Sequence, residues 1–93
     1  MIDKSVIEFF IFRGDMNTNE YQTKDLYEAS VLYALKQNFL GIKQDGQVCW
    51  FIFGDNKSSQ RISDLYWARS LNVNAKDYAE AIRTLKERIF SRR

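Results

Sequence analysis

The chain has 93 residues, of which 45% are hydrophobic, 15% aromatic and 28% charged, with a net charge of only +2. That length implies one domain, 1–93, and many aromatics with little net charge exclude a disordered chain. Histidine is absent and cysteine occurs once, as Cys49. These counts exclude an internal disulfide, the usual structural zinc sites and any histidine-activated nucleophile within one chain.

Residues 1–14 form an apolar arm. Its segment 5–12, Ser-Val-Ile-Glu-Phe-Phe-Ile-Phe, is rich in β-branched and aromatic residues, which favours a strand. Ile2, Val6 and Phe9 also fit helical spacing, so helix is the alternative. Asp3 and Glu8 interrupt the apolar run, so no secretory leader is expected. No apolar stretch approaches the ~20 residues of a membrane span. The protein is therefore expected to be cytoplasmic, with no membrane partner. Residues 15–20 are polar and turn-rich and read as a linker-like turn.

A first helix is expected from Thr23, with Thr23 as its cap and Asp25 in its first turn. Its apolar residues surround most of the helix, which implies burial from two directions or cover by another chain. Asp45-Gly46 between apolar extended segments predicts a hairpin over 39–53. A turn at those two residues pairs Gln44 with Gln47, Ile42 with Cys49, Gly41 with Trp50 and Leu40 with Phe51. Leu40, Ile42, Cys49, Phe51 and Phe53 then share one face, and Phe39, Val48, Trp50 and Ile52 the other. Such a two-sided strand belongs in the middle of a sheet, so a third strand is required. The N-terminal arm is the candidate.

A second helix is expected to begin among residues 55–60, with Trp67 off its apolar stripe. A break follows at Leu71-Asn72-Val73. Asn74 caps the third helix, whose stripe is Tyr78, Ile82, Leu85 and Ile89. The fold class expected is α+β, a small antiparallel sheet packed with three helices in the order β-α-β-β-α-α.

Little catalytic chemistry remains. Cys49 reads as a small core residue, because an apolar strand face disfavours the thiolate. Gly41 to Gly46 lacks the Gly-Lys-Ser/Thr ending of a phosphate loop. Asp55 and Asp64 could hold a metal, but cap and surface roles fit them better. No cofactor, no metal and no enzymatic activity are expected. Binding has three candidate surfaces. Trp67 with Arg61 and Arg69 has the composition of a protein-interface anchor. From Arg83 onward five basic residues, Arg83, Lys86, Arg88, Arg92 and Arg93, face one acid, Glu87, and suit DNA or RNA. A helix end suited to its own dipole is the plainer account of those charges. The sheet edge could add a partner's strand.

The stretch Tyr-Gln-Thr-Lys-Asp-Leu-Tyr-Glu-Ala-Ser (21–30), the Trp-Phe-Ile-Phe-Gly-Asp end of the hairpin (50–55), and Tyr78 with Leu85-Lys86 resemble a family of small uncharacterised domains. The resemblance runs from Tyr21 to Phe90, a core of αββαα, and implies no activity, cofactor or catalytic residue. The reading is a non-catalytic protein-binding module, homodimeric, that occupies a partner's surface. A nucleic-acid-binding accessory protein is the alternative.

Overall fold

A computed structural model of the protein describes residues 19–91. It contains β1 (Tyr21–Thr23), α1 (Leu26–Ala34), β2 (Phe39–Asp45), β3 (Val48–Phe53), α2 (Asn56–Trp67) and α3 (Ala75–Ser91). The class is α+β and the order is β-α-β-β-α-α, as the sequence implies. The sheet is antiparallel with strand order β1-β3-β2, so the two-sided strand is central. Its third strand, however, is Tyr21–Thr23. The strand expected at residues 5–12 lies outside the described residues.

That assignment moves the start of α1. Thr23 is not its cap but the last residue of β1. Asp25 caps the helix, with extended backbone and Oδ1 accepting from the Glu28 amide at 2.8 Å. Asp25 and Glu28 have the spacing of a capping box. Here the Glu28 carboxylate turns inward, accepting from Thr23 Oγ1 at 2.8 Å and from the Tyr21 hydroxyl at 2.5 Å.

The hairpin also differs from its expected register. Asp45 pairs with Val48, Lys43 with Trp50 and Ile42 with Phe51, so the two-residue turn is Gly46-Gln47. Gly46 has φ +68°, while Gln47 is not among the positive-φ residues. Glycine at the first turn position, followed by negative φ, is the type II′ pattern, which matches the twist of the strands. At the other end a bulge intervenes. Phe39 pairs with Phe53 and Gly41 with Ile52, leaving Leu40 unpaired and exposed. The bulge turns Phe39 to the inner face in place of Leu40.

The inner face therefore carries Tyr21, Thr23, Phe39, Ile42, Phe51 and Phe53. Phe51 and Phe53 join Ala29 and Leu32 of α1 and Leu85 of α3 in the buried core, flanked by Ile62 of α2 and Ile89 of α3. All three helices thus meet the sheet on one face. Phe39 stacks between Tyr33 and Phe53, with ring centroids at 5.6 and 5.2 Å. The expected α3 is present: Asn74 Oδ1 accepts from the amides of Lys76 and Asp77, and Leu85 is fully buried. No helix among the described residues is long and apolar enough to cross a membrane.

Candidate functional site

The end of α2 exposes the largest side chain of the domain. Trp67 is 59% exposed, and its ring meets Tyr66 edge-on at 5.0 Å. The cause is helical geometry: Ile62 and Tyr66 share the inward stripe, and Trp67 lies about 100° off it. Tyr66 anchors the tryptophan from below, and Leu65 on its other side is also exposed.

Two further tyrosines lie on the other helices. Tyr27, in the first turn of α1, is 51% exposed. Tyr78, in the first turn of α3, is half-buried. Burial raises the Tyr66 phenol above its usual pKa, assisted by neighbouring Tyr78, Asp25, Glu28 and Tyr27. Burial likewise raises Tyr78, with Tyr27 and Asp25 contributing. Of these four side chains Tyr27 and Trp67 are the exposed ones, and Tyr66 and Trp67 are in ring contact. Among the described residues, nothing hydrogen-bonds to the hydroxyls of Tyr27, Tyr66 or Tyr78.

A polar network centres on Glu28. Glu28 is only 4% exposed. The single proton of the Tyr21 hydroxyl goes to Glu28, so Ser63 Oγ, 3.0 Å away, acts as donor to the phenol oxygen. Burial, followed by the hydrogen bond to Glu28, pushes the Tyr21 pKa up to about 12, against a small lowering by Ser63. This network ties β1, α1 and α2 together and leaves the carboxylate two donors. It explains how an acid can sit in so small a core.

The other sequence-derived candidates are dispersed. Arg61 is exposed but six residues before Trp67, about 120° around the helix, so the two do not converge. Arg69 follows the cap of α2 with φ 63°. Arg83 and Lys86 are exposed on the outer face of α3, interleaved with Glu80 and Glu87. Arg88 lies elsewhere, its guanidinium 5.1 Å from the centre of the Phe39 ring. Arg92 and Arg93 lie outside the described residues. The basic residues of α3 thus do not form one stripe. Cys49 is half-buried, with Sγ 3.9 Å from Gln44 Oε1.

Sequence reasoning singled out Trp67 but missed Tyr27, Tyr66 and Tyr78. Tyr78 was read as part of the apolar stripe of the third helix, and helical spacing alone does not tell an exposed tyrosine from a buried one. No protein-family model, curated protein or solved structure matches the chain.

Proposed function

We propose that the protein is a non-catalytic binding module that recognises another protein through exposed aromatic side chains, Trp67 backed by Tyr66 and Tyr27 of α1. The observation that carries this reading is the exposed Trp67 ring held against Tyr66. Tryptophan and tyrosine dominate the energetics of protein interfaces, because they offer large rigid contact areas with polar tips. A rigidly backed pair loses little side-chain freedom on binding. The absence of histidine and the placement of Cys49 beside Gln44 give the reading its non-catalytic side.

The test is capture by the immobilised full chain from an extract of its source cells, with and without nuclease. One protein retained after nuclease treatment and lost with Trp67→Ala is expected. Retention that requires nucleic acid, or that survives Trp67→Ala, contradicts the reading. The nucleic-acid alternative is disfavoured by the acids among Arg83 and Lys86 and by the engagement of Arg88 with Phe39.

Self-association is a second use of the surface, favoured by the outer sheet face. That face carries exposed Val48 and half-buried Trp50, with Ile52 already buried, and Leu40 stands exposed at its bulge. A second copy covering it makes a homodimer. Light scattering that gives the monomer mass at high micromolar concentration rules this out.

A further inference from the structure

The sheet has a long edge on the side of β2. Strands run in the order β1-β3-β2, so among the described residues Phe39–Asp45 has a neighbour strand on one side only. The turn fixes which of its backbone groups face outward. A two-residue turn is closed by a pair that exchanges both backbone hydrogen bonds, here Asp45 and Val48. Direction then alternates along the strand, so Lys43 bonds Trp50, while Ile42 and Gln44 turn their N–H and C=O away from β3. Among the described residues no other backbone group meets these outward groups. The side chains of Lys43 and Asp45 stand exposed on the outer face, opposite Trp50 and Val48.

An open edge can take a further strand, and cross-strand charge selects which one. An antiparallel newcomer suits this edge when it sets a cation opposite Asp45 and, two residues later, an acid opposite Lys43. Read in chain order, that pattern is Lys-x-Asp. Strand β2 itself reads Lys43-Gln44-Asp45. We propose that β2 pairs antiparallel with β2 of a second copy of this chain, about a twofold axis at Gln44, so that two three-stranded sheets become one. Gln44 of each copy then exchanges both backbone bonds with its counterpart. Lys43 of each copy lies opposite Asp45 of the other at the closer, non-hydrogen-bonded spacing, with Cα atoms about 4.5 Å apart. A lysine ammonium carries three donors, and this contact needs only one. Ile42 comes opposite Gly46, which has no side chain and open space where one would stand. Neighbouring registers fail. An axis at Lys43 sets two lysines against each other, and an axis at Ile42 runs each strand into the other's bulge at Leu40. This contact shares only the dimer with the self-association reading above, and places it at the edge of the sheet instead of its outer face.

One strand pair buries less surface than a stable interface does, so a dissociation constant on the order of 100 µM is expected. The test is amide hydrogen exchange of the full chain, labelled with nitrogen-15, at roughly 20 µM and roughly 1 mM, on either side of that constant. Mass action pairs about 80% of the chains at the higher concentration, so the Gln44 amide should exchange about 4-fold more slowly there. The Gln22 amide, in the opposite edge strand β1, should not change. Lys43→Asp and Asp45→Lys each set like charges against each other across the axis and should each abolish the slowing. An equimolar mixture of the two variants sets acid against base at every contact and should restore it. Slow exchange at Phe51, which is fully buried, reports that each variant is folded. No slowing at Gln44 in the unaltered chain, slowing that survives either reversal, or a mixture of folded variants that fails to restore it each overturns the proposal. Concentration-dependent shifts at Val48 and Trp50 without protection of Gln44 also overturn it, and put the second copy on the outer face. Recognition through Trp67 is independent of every one of these results.

Discussion

At Lys36 and Arg69 the backbone works against the side chain. Each follows a helix cap with positive φ, 67° and 63°. Both close the same motif: the Lys36 and Gln37 amides donate to the carbonyls of Tyr33 and Leu32, and the Arg69 and Ser70 amides donate to those of Tyr66 and Leu65. That is the Schellman pattern, whose left-handed position normally belongs to glycine. Lys36→Gly and Arg69→Gly should each stabilise the fold by roughly 0.5–1 kcal/mol, after the entropy that glycine adds to the unfolded chain. Thermal melts should rise by a few degrees, and a fall would show that these backbones are not held left-handed. Neither stop was legible in the sequence, since the usual signal for a helix end is the glycine that is missing. At Tyr21 the raised phenol pKa sets a pH dependence. The folded state holds the proton up to about 12 and the unfolded chain only to about 10. Stability should therefore hold steady below pH ~10 and fall as pH rises toward ~12. Tyr21→Phe should remove that step from a urea-unfolding series across this range. It should also cost about 1–3 kcal/mol at neutral pH, because Glu28 loses a donor. A slope unchanged by the substitution contradicts the assignment.

The hairpin shows how a correct element can carry a wrong register. Asp-Gly is the favoured pair for a type I′ turn, in which both residues have positive φ. Here Asp45 stays in the ladder and glycine takes the first turn position. Moving a two-residue turn by one position slides the register by two, so side chains keep their faces. This is why Ile42, Phe51 and Phe53 were placed together correctly. The exchange of Phe39 for Leu40 was not legible, because a bulge changes face without changing composition. Asp45→Thr distinguishes the two registers. In the observed ladder a β-branched residue is tolerated or gains a few tenths of a kcal/mol. In a type I′ turn it would be forced to positive φ and cost about 1–2 kcal/mol. Strand β1 was missed for a different reason. Three residues are too few for a periodic signal, and Tyr21–Thr23 is extended because β3 offers a free edge and because Asn19 and Glu20 carbonyls hold Asn56. The stripe of α3, by contrast, was plain in the spacing of apolar residues.

At the scale of the molecule, a thin sheet collects three helices on one face, and several of their aromatic side chains stand outside the buried core. The core is made by Phe51, Phe53, Leu32 and Leu85. Truncating one of the phenylalanines should cost about 3–5 kcal/mol, a large part of the stability of a domain this size. Tyr27 and Trp67 lie outside that group, and their proposed role is recognition rather than folding. The most direct test is the urea-unfolding free energy of the Tyr27→Ala/Trp67→Ala double variant against the unaltered protein. The account predicts a loss of no more than about 1.5 kcal/mol, the worth of the Tyr66–Trp67 ring contact offset by the helix preference of alanine. A loss of about 3–5 kcal/mol, as for a core aromatic, would show that these rings hold the fold together and would contradict the claim that they are free for a partner.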